Sequence, residues 1–452
     1  MTFTADVQFF VEAGLASSAN GGLWDTAIWD TDVWAGGEPD WIDLTAYSLG
    51  VTTQTGRQYW TERMETGTAR FVFDNRDGAF SPIAGATLPG NLNIRPGRWI
   101  RLRAQSASGG AITPDPVPVP DQTSWTGVTG RTWTANGTGL VYQGADVPAF
   151  LDRVLWAGII DTIDEVYPSG GSDSETVITA VDFQAYLAIN NPPELTVPLP
   201  VELSSARVAR LLDDVQWEWQ DISTGSHEVD ASTVDVNYAR EIQETARAEG
   251  GAFYFENLTA VFKSFAWLSN DERSTTIQSY PGRGFGGDPR VLDAARARWS
   301  ILDIQNDIQL ARRQSPADIR RDQGPASQTL YGQRTYSYTS LYNESNTDVD
   351  ALAARRLAQL QWDFQRLLTV NLYPENPVQA GDLLNMRIGD LIRVSVPLTL
   401  PGWGYTVETH VQGITYDIAG TDWTCILRVD QSLRQNPTDA TAYDDGYDEG
   451  WA

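Results

Sequence analysis

The chain has 452 residues, 59 acidic against 32 basic side chains for a formal charge of −27, and 41% hydrophobic content that includes 17 Trp and 17 Tyr. That composition excludes a disordered or collagen-like chain, and the length predicts roughly two to four folded domains. The acidity argues against a general nucleic-acid binder, which needs a basic patch to displace counterions from phosphates, and no run reaches the roughly 18 apolar residues of a membrane span.

The opening MTFTADVQFFVEAGLASS lacks the basic lead and long apolar core of a secretory signal. Residues 1 to 105 then alternate as strands do, in VQFFVEA, ARFVFDNRDGAF and RWIRLRA, separated by Gly, Asn and Pro. After Phe73 the run Asp74-Asn75-Arg76-Asp77-Gly78 predicts a tight turn, because these residues tolerate left-handed backbone. The proline-alternating stretch ASGGAITPDPVPVPD reads as a stiff loop, and the Thr, Gly and Trp-rich piece after it as short inserted strands.

VLWAGIIDTIDEVYP and ETVITAVDFQAYL, separated by a polar turn, predict a hairpin flowing into a short helix, which Asn190-Asn191-Pro192-Pro193 ends. Ser204 or Ser205 is placed to cap a helix with Val208, Leu211, Leu212 and Val215 on one face. A second helix carries Tyr238, Ile242 and Ala246 and stops at Gly250-Gly251. AFYFE and AVFKS make the hairpin that follows. From Arg290 the chain returns to strands with one helix, for which Thr347 and Asp350 read as a capping pair and Ala353, Leu357, Leu360 and Phe364 as the buried stripe.

These elements give a mainly β fold with an α+β middle. The expected units are an N-terminal β domain over residues 1–190 with a Pro/Gly/Trp-rich insertion at about 106–150, a mixed α/β middle over 191–289, a C-terminal β domain with one helix over 290–436, and an acidic tail over 437–452. Alone, that tail reads as a mobile segment that a partner would order.

Chemistry is sparsely signalled. Cys425, the only cysteine, lies in an alternating apolar run and reads as a buried structural thiol; with only His227 and His410 beside it, zinc binding is not predicted. Lys263 is the only lysine among the basic residues, which reads as coding bias. LWDTAIWDTDVW holds two Trp-Asp pairs, but a propeller repeats them at far wider intervals, so Trp24, Trp29 and Trp34, with Trp41 beyond, are read as either a plain aromatic loop or interface anchors. FDNRDG fails as a calcium loop because Arg76 falls where a ligand is needed, and GRGFGG at 282–287 lacks the strand-turn-helix context of a dinucleotide site. Pairs such as Asp161 with Asp164 or Asp182 arise by chance in so acidic a chain, and no catalytic, cofactor or metal residue is assigned.

The phrases WIDLTAYSLGVTTQTGR, ETGTARFVFDNRDGAFSP and NIRPGRWIRLRA resemble the opening of minor tail proteins of long-tailed, siphovirus-type actinobacteriophages. The matching positions are Trp41, Asp43, Thr45, Gly56, Arg57, Asp74, Asn75, Asp77, Gly78, Phe80, Pro82, Pro96, Gly97 and Arg101, with Phe73 standing where Leu is usual. Weaker likeness extends over most of residues 40 to 434. The resemblance implies a tail-tip hub in the virion, made in the host bacterial cytoplasm. It implies a homotrimer whose two β-barrel-like, tail-tube-type domains per chain imitate a sixfold ring. Its implied partners are a tail-tube or distal tail protein ring, other minor tail and tip proteins and the tape-measure protein. Genomic DNA is met only in passage, and no stable nucleic-acid or membrane binding, cofactor or enzymatic activity is implied. The alternatives are a distal tail ring, a receptor-facing tip protein that binds carbohydrate, and a cell-wall glycan hydrolase.

Overall fold

The computed structural model describes residues 7–15, 40–80, 94–106, 124–126, 132–135, 140–143, 152–168, 174–190, 198–232, 236–268, 278–281, 292–298, 300–362, 366–373, 380, 383–397, 404–420 and 422–431. Trp24, Trp29, Trp34, Pro82, the 282–287 loop and the acidic tail lie outside these residues.

The first half supplies strands β1 (Val7–Leu15), β2 (Asp40–Asp43), β3 (Ser48–Gly56), β4 (Glu65–Asp74), β5 (Trp99–Ser106), β6 (Ser124–Thr126), β7 (Thr132–Ala135), β8 (Leu140–Gln143), β9 (Asp152–Val166) and β10 (Glu175–Val181). The middle contains α1 (Phe183–Ile189), β11 (Glu202–Leu203), α2 (Ser204–Asp214), β12 (Gln220–Ile222), β13 (Glu228–Val229), α3 (Tyr238–Glu249), β14 (Ala252–Glu256), β15 (Thr259–Lys263) and α4 (Phe265–Leu268). The last part adds β16 (Gln278–Pro281), β17 (Leu292–Arg298), β18 (Asp307–Arg312), β19 (Arg320–Gln323), α5 (Pro325–Tyr331), β20 (Thr335–Leu341), α6 (Asn346–Leu360), β21 (Arg366–Leu372), β22 (Leu391–Pro397), β23 (Gly404–Ala419) and β24 (Asp422–Gln431).

The fold is mainly β, as the alternating runs predict. Its centre is a 13-stranded sheet in the order β17-β21-β24-β23-β3-β4-β10-β9-β5-β1-β2, with β22 on β23 and β16 on β22. The two strand-rich ends of the chain therefore share one sheet, joined where β3 pairs with the second half of β23. Alternation decides which face is inside: β10 reads intermediate and buried in strict turn, which places Thr176, Ile178 and Ala180 inward. Phe71, Phe73, Ile100, Leu102, Trp156 and Ile178 from one end pack in the same apolar cluster as Val370, Leu372, Cys425, Leu427 and Val429 from the other.

A second cluster lies between α1, α2, α3 and the β14–β15 hairpin, built on Phe183, Leu211, Leu212, Ile242, Phe253 and Phe262. Its aromatic rings meet at offset angles, with Phe183 5.0 Å from both Trp99 and Trp217. A third joins α6 to β18 and β20 through Ile308, Leu310, Val349 and Ala353.

Several local expectations hold. The β9–β10 hairpin leads into α1, α3 ends at Gly250 in left-handed backbone (φ +69°), and Asn257 turns the β14–β15 hairpin at φ +60°. The inserted short strands β6, β7 and β8 form their own sheet. Others are corrected. Ser204 is the first residue of α2 rather than its cap, because its hydroxyl is taken by Glu249 at 2.8 Å. The cap of α6 is Ser345, whose Oγ accepts from the Thr347 amide at 3.0 Å, while Asp350 is turned to Arg320 at 2.6 Å. The sequence reading places no helix at α5, which is short and carries Pro325 in its first turn, where the fixed φ of proline suits a helix start.

Candidate functional site

The phrase residues fall at two structural joints and at the far edge of the large sheet. At the first, Gly56 sits opposite Gly413 where β3 meets β23. Gly56 has φ +91°, and a Cβ there would lie 2.2 Å from the Gln412 carbonyl oxygen; at Gly413 one would lie 2.7 Å from the Thr55 carbonyl oxygen. Two glycines face to face let the strand sets approach closely. Gln412 is the extra residue of a bulge in the β23–β24 ladder, which re-aims its side chain. Buried Arg57 uses that bulge: its amide donates to the Gln412 carbonyl at 2.9 Å, Nε to Gln412 Oε1 at 3.0 Å and Nη1 to the Glu62 carbonyl at 2.8 Å. Burial pushes the Arg57 guanidinium down to about 10, against the raising effect of Asp430, so it stays charged at neutral pH.

At the second joint the turn after β4 is closed by its own side chains. Asn75 is buried, its amide donates to the Ser174 carbonyl at 2.8 Å, and its Oδ1 accepts from the Phe80 amide at 2.9 Å. Asp74 Oδ1 and Asp77 Oδ1 accept from the amides of Arg76 and Ala79 at 3.1 and 3.0 Å, and Gly78 supplies φ +71°. The reward is Phe80, brought back to stack on Phe73 at 4.7 Å and to meet Tyr47 edge-on at 5.5 Å. The side chains of Asp74, Asn75 and Asp77 thus close the turn.

The remaining phrase residues brace the far edge. Asp43 Oδ1 accepts from the Thr45 amide at 2.8 Å, and Thr45 Oγ1 accepts from the Val11 amide at 3.0 Å. After Pro96, Gly97 turns at φ +88° and donates to the Ile160 carbonyl at 2.8 Å. Arg101 reaches Glu12 at 2.6 Å with its guanidinium 4.0 Å over the Trp41 ring, and Arg103 joins the same carboxylate at 2.9 Å. Trp41 therefore anchors edge strand β2.

The carboxylates weighed as catalytic pairs do not meet in a cleft. Asp161 and Asp164 are exposed on β9, whereas Asp182 is buried and caps α1. Its carboxylate accepts from the Gly67 amide at 2.6 Å and the Gln184 amide at 2.9 Å, and burial pushes it up to about 7. Cys425 is fully buried and burial pushes its thiol up, which suits a structural residue. Among the described residues no group of three or more His, Cys, Asp or Glu is arranged to hold a metal.

Sequence reading missed a cleft of about 630 Å³ lined by Arg63, Arg247, Arg356 and Arg366. Its walls are the loop between β3 and β4, the end of α3, β20, α6 and the start of β21. Arg247 and Arg356 stack on Tyr338 and Tyr336 at 4.5 and 3.5 Å. Arg63 and Arg247 share Glu244, which also accepts from the Tyr338 hydroxyl at 2.6 Å. The signal was the tyrosine alternation in TYSYTSL beside the Arg355-Arg356 pair, residues far apart in sequence.

No protein-family model and no curated protein sequence matches the chain. Its fold does match solved structures. A tail protein from Neisseria meningitidis MC58 superimposes with a TM-score of 0.55 at 10% identity, over 95% of this chain and 98% of that one. The 43 kDa tail protein of prophage MuSo2 from Shewanella oneidensis gives 0.54 at 9% identity, over 94% and 97%. The chain thus has, over nearly its whole length, a fold seen in these two tail proteins, one of them from a prophage.

Proposed function

We propose that the chain is a structural protein of a phage tail, placed at the tip as the central hub that joins the tube to the tip around the DNA passage. The observation that carries this reading is the fold likeness to the Neisseria tail protein, which spans 95% of the chain. The phrases from Trp41 to Arg101 supply the finer assignment, to the minor tail proteins of long-tailed actinobacteriophages. In this reading the chain is not an enzyme, and it works by assembly with copies of itself and with neighbouring tail proteins.

Charge is consistent with a conduit. Three copies, each at −27, would repel DNA from any wall they form within the roughly 8 Å screening length of physiological salt. Among the described residues the large sheet ends at β2, β17 and β16, and these edges are the contact lines we expect between copies. Light scattering on the purified chain tests the threefold form: a mass three times 49.8 kDa supports the trimeric hub. A sixfold mass would replace it with a distal ring, and binding to host cell-wall glycans by a persistent monomer would replace it with a receptor-facing tip protein. Gold-labelled antibody on intact particles then reads the position, with label confined to the tip expected and label along the tube overturning it.

A further inference from the structure

The arginine cleft is unusual for so acidic a chain, and its charges are unevenly answered. The rim acids are already held: Asp303 by Arg298 at 2.8 Å, Glu65 by Arg428 at 3.3 Å, and Glu62 by the Tyr59 amide at 3.1 Å. Arg356, in contrast, meets neutral groups, its Nε donating to Gln305 Oε1 at 2.7 Å and its plane lying on Tyr336. Burial, with Arg247 adding to it, pushes Arg356 down to about 10, and burial and Arg247 likewise lower Arg63. Glu244 answers Arg63 and Arg247, and Asp430 faces Arg366, so Arg356 is the cleft arginine that a carboxylate-bearing ligand would most directly answer.

The chain itself runs to this place. Strand β24 reaches the cleft wall at Asp430, whose carboxylate lies 3.8 Å from Arg366 and accepts from the Trp60 amide at 3.0 Å. Beyond Gln431 the sequence continues to Asp439, Asp444, Asp445, Asp448 and Glu449 with Tyr443, Tyr447 and Trp451 interleaved, and no basic residue after Arg434. The eight residues from Gln431 to Asp439 can span up to ~26 Å, more than enough to turn back into the cleft. Carboxylates suit the guanidinium forks, and aromatic rings suit their faces.

We propose that the cleft lined by Arg63, Arg247 and Arg356 is a docking site for the acidic C-terminal segment of the same chain, residues 437–452. This inference does not rest on the tail-hub reading and concerns the isolated chain.

The test uses a fluorescently labelled peptide of residues 437–452, with binding read by anisotropy at low salt against the full chain and a chain ending at Gln435. The shortened chain is expected to bind it, and the full chain on the order of tenfold more weakly because its own segment competes. Arg63→Gln or Arg356→Gln in the shortened chain is expected to weaken binding on the order of tenfold, and added salt to weaken it further. A peptide with its acids changed to amides keeps the test valid should an arginine variant fail to fold, and it is expected not to bind. Absence of binding to the shortened chain, equal binding by both chains, or equal binding of the amide peptide overturns the proposal. So does a full-length mass that rises with concentration and loses that rise on shortening, since docking would then be between copies.

Discussion

Two residues show how much one missing methyl group decides. Gly56→Ala places a Cβ 2.2 Å from the Gln412 carbonyl oxygen at φ +91°, so strain and overlap add, and a loss of about 3 kcal/mol in unfolding free energy is expected from denaturant titration. Gly78→Ala also has positive φ but meets no atom within 4 Å, and its cost is expected near 1 kcal/mol. Asp182 adds a pH signature. Its folded value of about 7 lies above the ordinary 3.8, so the folded state holds this proton more tightly. Its contribution is full below the unfolded value and is lost as pH rises through about 7. Asp182→Asn is expected to flatten stability between these limits relative to the parent, measured by urea unfolding across that range. An unchanged pH slope would mean that the two amide donors outweigh burial.

At the level of elements, the caps separate what sequence can show from what it cannot. Ser345→Ala is expected to cost about 1 kcal/mol and Thr347→Ala less than about 0.5 kcal/mol in thermal or chemical unfolding, because the hydroxyl that meets the helix amide belongs to Ser345. Sequence spacing favoured Thr347 because Asp350 completes a plausible pair, but Arg320 on β19, remote in sequence, had already claimed that carboxylate. The same cause hid the arginine cleft, whose residues come from segments far apart in the chain. What periodicity did reveal were elements governed by their own residues: the buried alternation of β10, the Val208, Leu211 and Leu212 face of α2, and the Gly250 stop of α3. Short pieces held mainly by neighbours, such as α5 and β19, carry too little local pattern to be seen.

For the whole molecule, the pairing of β3 with β23 changes what counts as a unit. Strands from the start and end of the chain lie in one sheet and share one apolar cluster, so the large sheet is expected to unfold in a single calorimetric transition. A fragment ending at residue 190 would keep β3 but lose its partner, exposing an unpaired edge, and it is expected to aggregate or stay unfolded. Independent folding of that fragment would show that the two strand sets are separate domains after all. The β3–β23 ladder also has a mechanical side. Six residue pairs from Val51 with Ile418 to Gly56 with Gly413 run side by side along the strand axis. A pull along that axis must strain all of them together, whereas a pull across it opens them one at a time. If the contraction or flexing of a larger particle loads this chain lengthwise, the seam between its two ends would then behave as a shear joint, rigid until it yields in one event.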